Sequence, residues 1–334
     1  MAIDAPWCAS VVLGSFPERN EPFVFSARHL RSLVLVAIVA IVSIVAPACG
    51  RPDRAAANAV AVMGVDDFGD TLSLAERPRR IVSLNPVITE ALFAIGAGAR
   101  VTGRTHWDTY PAAALAVPDL GNGMQPNVEA VLATRPDLVV LYASNGNRAA
   151  AAAFRRAGVP TLALHTDVRA DLWKALEWLG RVTGDSVRAR ATIDSVRASL
   201  DAVERSARTA GRPSVFWNVW DAPVITIGAG SYLDELVRTA GARNVFGDLA
   251  QPSPQVTLES VAQRNPDFIL AGPNSAVRLR ADARWRSVAA VRNGRVLVVD
   301  TTLVGRPGVR MGEAARHLRA LIDSAMKASP AARP

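Results

Sequence analysis

Two polar segments of the chain carry large aromatic side chains: Thr105-His106-Trp107-Asp108-Thr109-Tyr110 and Trp217-Asn218-Val219-Trp220-Asp221. Aromatic groups on loops give a flat, rigid apolar surface with a polar handle, which is the chemistry of holding a broad planar ring system rather than of breaking a bond. His106, beside Trp107, adds a neutral imidazole of the kind that ligates a metal axially. Met124, Ser144, Asn145, Ser231, Tyr232 and Arg306 lie in further polar segments and complete a candidate binding set. Trp217 has a second reading: alternation along 215–219 puts it on the face opposite Phe216 and Asn218, where a buried strand residue would stand. Ser231 also reads as a helix cap, whose free N–H groups would equally suit an anionic group. No Gly-x-Ser-x-Gly elbow, His-Glu-x-x-His, Cys-x-x-Cys or phosphate loop occurs, so catalytic residues are not expected. Only three histidines follow position 48, too few for a site that binds a bare metal ion.

These segments fall at the ends of short apolar, β-rich runs. Residues 80–84, 100–103, 138–142 and 161–165 alternate with helical stretches, and a second series follows at 215–219, 224–227, 268–271 and 296–300. Such alternation predicts parallel sheets in an α/β fold. Between the series, 171–208 is free of proline and carries Leu172, Leu176, Leu179 and Val182 at helical spacing, interrupted by Gly180 and Gly184. This predicts one long helix, with a break allowed at the glycines. At 1.5 Å per residue it would span more than about 50 Å and act as a strut. Two short segments, 60–63 and 71–74, flank Asp66-Asp67-Phe68-Gly69-Asp70 and predict a hairpin before the first lobe.

The two series repeat one another. Glu129 stands seven residues before Pro136 in Asn127-Val128-Glu129…Arg135-Pro136-Asp137-Leu138, and Glu259 stands seven before Pro266 in Thr257-Leu258-Glu259…Asn265-Pro266-Asp267-Phe268. Glu90 and Glu235 each stand six residues before a glycine, Gly96 and Gly241. The predicted organisation is an N-terminal lobe at 60–166, a bridging helix at 167–210, a C-terminal lobe at 211–327 and a tail at 328–334.

With Arg80-Ile81-Val82-Ser83-Leu84-Asn85-Pro86, Thr89-Glu90, the Asp108-Thr109-Tyr110-Pro111 turn, 121–129 and Arg135-Pro136-Asp137-Leu138-Val139, the chain resembles the helical-backbone class of periplasmic binding proteins, the cobalamin, haem and ferric-siderophore receptors of ABC importers. The resemblance covers about residues 80–321. It implies an α/β fold of two pseudo-repeated lobes with mainly parallel sheets, joined by one long backbone helix, with the ligand in the cleft between them. It also implies that Glu129 and Glu259 dock onto arginines of an ABC permease dimer. A matched pair of exposed carboxylates would set orientation and encounter rate more than raw affinity. The alternative reading of both is helix N-terminal glutamates favoured by the dipole. Aromatic content and spacing are most similar to the cobalamin receptors, so a corrinoid is the expected ligand. Haem or a ferric siderophore is the alternative, the siderophore drawing on Arg104, Arg148, Arg306 and Arg310. A monomer without a cofactor of its own is expected; a ligand-sensing lipoprotein uncoupled from transport is the remaining reading.

Residues 1–48 read as an export signal. Arg28, His29 and Arg31 precede the apolar run at 33–48, which ends in Ala46-Pro47-Ala48-Cys49-Gly50. That site resembles a bacterial lipoprotein processing site, with Cys49 lipidated and 49–59 a tether. An uncleaved anchor helix is the alternative, and residues 1–27, ahead of the basic residues with which a signal normally starts, are explained by a start codon assigned too far upstream. The body is thereby placed in the periplasm or on the extracytoplasmic face, held to the membrane. Lys and Arg number 38 against 30 Asp and Glu, a net charge of +8. The arginines are scattered rather than grouped with aromatics, so nucleic-acid binding is not expected.

Overall fold

The computed structural model describes residues 59–207 and 212–328. The signal, Cys49, almost all of the tether and most of the tail lie outside the described residues. An antiparallel hairpin of β1 (Ala59–Val65) and β2 (Thr71–Glu76) opens the fold, as the sequence predicts. The Asp66 carboxylate closes its turn by accepting from Phe68 N and Asp70 N, each at 2.9 Å.

The first lobe runs β3 (Ile81–Leu84), α1 (Pro86–Ala94), β4 (Val101–Gly103), α2 (Val128–Ala133), β5 (Leu138–Tyr142), α3 (Arg148–Arg156) and β6 (Thr161–Leu164). Its sheet is wholly parallel in the order β4-β3-β5-β6. The hairpin turn covers the β6 edge, where Asp67 N donates to Ala163 O and Ala163 N donates to Asp66 Oδ2, both at 3.0 Å.

Two helices, α4 (Arg169–Thr183) and α5 (Ser186–Ala207), lead to the second lobe. That lobe consists of β7 (Ser214–Asn218), the small pair β8 (Trp220–Asp221) and β9 (Val224–Ile225), α6 (Tyr232–Thr239), β10 (Arg243–Asn244), α7 (Leu258–Arg264), β11 (Phe268–Ala271), α8 (Pro273–Ala281), α9 (Ala289–Arg292), β12 (Val296–Val298), α10 (Thr301–Val304) and α11 (Met311–Ala328). Its parallel sheet, β10-β7-β11-β12, has the strand order of the first with each strand replaced by its counterpart.

The repeat extends to single hydrogen bonds. Each of α2 and α7 ends on a non-glycine residue in the left-handed region, Arg135 at φ 49° and Asn265 at φ 41°, just before the proline. The following aspartate ties its strand to a neighbour. Asp137 accepts from Arg79 N at 2.8 Å and Arg80 N at 2.9 Å, and Asp267 accepts from Ser214 N at 2.7 Å.

Strand alternation divides the apolar residues among three cores. Leu138 and Val140 of β5, like Val215 and Trp217 of β7 and Phe268 and Leu270 of β11, face a core shared by both lobes. Val139 and Leu141 face a separate layer with Phe154 of α3, while Phe216 and Ile269 face another with Trp285 and Leu279. Sheets buried on both faces produce the near-continuous apolar strands seen in the sequence.

The single long helix of 171–208 is corrected. The break falls at Gly184, in the left-handed region at φ 80°, and the two helices fold back on one another. The Arg197 guanidinium lies 5.0 Å from the Trp173 ring centre, and a Cβ at Gly180 would stand 2.7 Å from the Ala189 Cβ. The link between lobes is therefore α5 alone, whose 22 residues reach about 33 Å. Leu172, Leu176 and Leu179 of α4 and Ile193, Val196 and Leu200 of α5 bury into the shared core, so the hairpin joins the lobes by packing as well as by chain.

Candidate ligand cleft

In a parallel α/β sheet the loops beyond the carboxyl ends of the strands form the natural crevice. After β3, Asn85 caps α1: its Oδ1 accepts from Val87 N at 2.9 Å and its Nδ2 donates to Thr166 Oγ1, just past β6, at 3.0 Å. At the end of β5 the Tyr142 hydroxyl donates to Asp167 Oδ1 at 2.6 Å. Burial, with the Asp167 carboxylate beside it, pushes the Tyr142 phenol up to about 12.

The turn after β4 is closed by Asp108, which accepts from Thr105 N at 2.8 Å and from the Thr105 hydroxyl. This turn presents Trp107, 57% exposed. The Asn122-Gly123-Met124 loop lies so close to β3 that a Cβ at Gly123 would collide with the Leu84 carbonyl oxygen, and it leaves Met124 exposed. From the second lobe Arg306 reaches across, its Nη1 donating to Trp107 O at 3.2 Å and lying 4.0 Å from Glu90 Oε1.

These groups enclose a depression of about 240 Å³ lined by Trp107, Met124, Tyr142, Asp167, Arg306 and Pro307, among others. A second depression of about 310 Å³ opens at the carboxyl ends of β7 and β11, lined by Trp217, Asn218, Val219, Pro273 and Ser275, among others. Gly305 lines both, so the two halves adjoin at the boundary between the lobes.

The residues singled out in the sequence divide accordingly. Trp107, Met124 and Arg306 meet in the first half. Trp217 is a buried strand residue, 3% exposed and part of the shared core, that also lines the second half. Trp220, 61% exposed on β8, lines neither half and donates its indole N–H to Ala222 O at 3.1 Å. His106 is exposed, its ring 4.5 Å from that of Trp107, and lines neither half.

Tyr110 is drawn away. Its ring lies 4.2 Å under the Arg310 guanidinium and lines a separate groove of about 530 Å³ between α5 and α11. Ser144 and Asn145 follow β5, Ser144 with a buried hydroxyl that has no partner and Asn145 exposed, and neither lines the depressions. Ser231 is engaged as a cap, accepting from Asp234 N at 3.2 Å and donating to Gly228 O at 2.9 Å. Tyr232 is buried, with a hydroxyl that finds no partner.

Tyr142, Asp167 and Asn85 were not singled out in the sequence. Their signal was available, since Asn85 and Tyr142 stand at the carboxyl ends of predicted strands. Among the described residues no cluster of three His, Cys, Asp or Glu side chains is placed to hold a metal ion.

Glu129 and Glu259 are both exposed in the first turns of α2 and α7, whose caps Asn127 and Thr257 accept from Ala130 N at 3.0 Å and Ser260 N at 3.2 Å. In each lobe a helix leading back into a parallel strand starts at the carboxyl end of the sheet, so both glutamates stand at the cleft end of their lobes. Its own backbone N–H and the Thr257 hydroxyl hold the Glu259 carboxyl below the usual range.

Two like lobes, with the carboxyl ends of both sheets facing one crevice, define an architecture for holding a solute. The chain belongs to the periplasmic binding protein family, whose model matches residues 81–303. An uncharacterized ABC transporter substrate-binding lipoprotein of Bacillus subtilis, YvrC, is 30% identical over 81% of this chain and 90% of its own. A vitamin B12-binding protein of Vibrio parahaemolyticus is 25% identical over 73% and 89%. The periplasmic heme-binding protein RhuT of Roseiflexus sp. RS-1, in apo form, superposes with a TM-score of 0.67 at 25% identity, over 74% of this chain and 98% of its own.

Proposed function

We propose that the chain is the extracytoplasmic substrate-binding component of an ABC importer, tethered through Cys49, and that it carries a corrinoid between its lobes to the permease. The observation that supports this reading best is the cleft itself. Exposed Trp107 and Met124 offer an apolar surface on one lobe, Trp217 and Trp220 lie at the carboxyl end of β7 on the other, and Arg306 spans the boundary. Apolar walls with a few oriented polar groups are the usual make-up of a small-molecule site. The likeness to a vitamin B12-binding protein favours a corrinoid within that class. Glu129 and Glu259, one on each lobe, would present the loaded protein to a two-fold permease.

Haem is the second reading. It is favoured by His106 against Trp107, an imidazole next to a flat apolar surface, and by the likeness to a heme-binding protein.

The test is titration of the purified chain with cyanocobalamin, haemin and a ferric siderophore in parallel, read by tryptophan fluorescence and calorimetry. Submicromolar binding of cyanocobalamin alone is the expected result. Binding of haemin alone, lost in His106→Ala, establishes the second reading instead. No binding of any of the three returns the protein to a sensing or structural role.

A further inference from the structure

Glu90 is a carboxylate that neither the cleft lining nor the core requires. It sits on α1 at 4% exposure, where the two lobes meet. Groups from four elements face it. Arg306 and Arg310 come from the loop after α10, Asp108 from the turn that presents Trp107, Glu313 from α11, and Tyr232, with its partnerless buried hydroxyl, from α6. The chain at Gly308 also passes close, a Cβ there standing 2.8 Å from Glu90 Oε2.

Of the two arginines, Arg310 is committed, donating to both Glu313 oxygens at 2.9 and 3.0 Å. Arg306 is not. Its Nη1 lies 4.0 Å from Glu90, beyond the length of a formed N–H···O bond, and donates instead to Trp107 O. A guanidinium has five N–H donors in a fixed fork, so Arg306 keeps donors to offer while lining the cleft.

We propose that Arg306 receives an acidic group of the ligand and that Glu90 is the internal carboxylate that holds this guanidinium until the ligand's group takes its place. Glu90 is thereby a positioning residue for the cleft. The inference rests on the reading that a ligand enters between the lobes, and it adds that this ligand carries a phosphodiester or carboxylate near its ring.

The physical basis is competition for one cation. An ionised Glu90 about 4 Å from Arg306 satisfies part of its charge in a site where screening is weak, and an incoming anion must displace that attraction. A neutral Glu90 removes that attraction and leaves Asp108 as the carboxyl group that still faces Arg306. Burial pushes Glu90 up to about 7, against the pull of Arg306 and Arg310 and with the push of Asp108 and Glu313, so both forms are populated near neutrality. Raising the pH strengthens the internal hold and weakens an anionic ligand, and lowering it does the reverse.

The test measures the affinity of the purified full chain for cyanocobalamin, which carries a phosphodiester, and haemin, which carries two carboxylates, between pH 5.5 and 8. The wild type should bind the accepted probe more tightly at the acid end. Glu90→Gln, a neutral isostere, should remove most of that dependence, the remainder coming from Asp108, and bind about tenfold more tightly than wild type at pH 8 while matching it at pH 5.5, as expected for a charge-assisted contact of modest strength. Arg306→Gln should weaken binding and lose the dependence as well. Parallel pH profiles in wild type and Glu90→Gln, or full affinity in Arg306→Gln, overturn the proposal. Failure of both probes at every pH refutes the ligand reading instead, and the coupling is then judged without ligand. The Glu90 carboxyl ¹³C resonance, assigned by its loss in Glu90→Gln, should titrate at higher pH in Arg306→Gln than in wild type; equal midpoints overturn the coupling.

Discussion

At the scale of single residues, burial separates side chains of the same type. Trp107 stands in a loop of the cleft and Trp217 just before one, yet the first is 57% exposed and the second 3%. Trp107→Ala should change stability by no more than about 0.5 kcal/mol, as surface substitutions do, while lowering ligand affinity at least tenfold. Trp217→Ala should cost about 3–5 kcal/mol in chemical denaturation, because it opens a cavity in the shared core. Loss of affinity in Trp217→Ala without loss of stability would move that side chain from the core to the ligand. Glu90 gives a second test, through pH. Its folded value of about 7 lies above its ordinary 4.5, so its contribution to stability is fully present below pH 4.5 and is lost as pH rises through 7. At about 1.4 kcal/mol per unit the whole span is about 3 kcal/mol. The melting midpoint of the wild type should therefore fall from pH 5 to pH 8, and Glu90→Gln should flatten much of that fall. Asp108, raised chiefly by burial, contributes a slope of the same sign that remains in the variant.

At the scale of elements, the sequence carries strand and repeat information well and helix direction poorly. Every strand of the two parallel sheets except the two-residue β10 overlaps or adjoins an apolar run, and the Glu-to-Pro repeat coincides with matching caps, left-handed residues and aspartate ties. These features are local, so the periodicity and turn chemistry contain them. The reversal at Gly184 is different, because helical spacing of apolar residues reads the same in a straight helix and in two antiparallel ones. What separates them is packing between α4 and α5 at Gly180 and Trp173, which no local pattern encodes. The site follows the same division. Trp107 and Arg306 were legible as loop residues of suitable chemistry, whereas the withdrawal of Tyr110 beneath Arg310 and the engagement of Ser231 as a cap depend on partners far away or on a competing local bond. Gly184→Ala tests the reversal directly. A left-handed alanine costs about 1 kcal/mol, and its Cβ would collide with the Arg77 guanidinium, so denaturation should show a loss of about 1–2 kcal/mol. No loss would mean that the two helices can rejoin without strain.

At the scale of the whole molecule, the link between the lobes limits how they move. A helical hairpin packed into a core common to both sheets resists a wide hinge, so the cleft should respond to ligand by small rotations rather than by full closure. A receptor that changes shape little must signal occupancy through its rim, and the rim carries Glu129 on one lobe and Glu259 on the other, at equivalent positions in equivalent helices. Their spacing is set by the lobes, so a modest rotation alters both at once, which suits recognition by a permease with two like halves. Exposed carboxylates of this kind govern encounter and orientation, and because neither glutamate lines the cleft, the proposed docking role predicts that their removal leaves the ligand contacts intact. Glu129→Lys with Glu259→Lys should therefore abolish uptake in cells dependent on this receptor while the purified variant keeps wild-type affinity for the ligand. Either single reversal should reduce uptake less than the pair does. If the double variant loses affinity instead, the glutamates belong to the cleft; if uptake is unchanged, they serve only to complement the dipoles of α2 and α7.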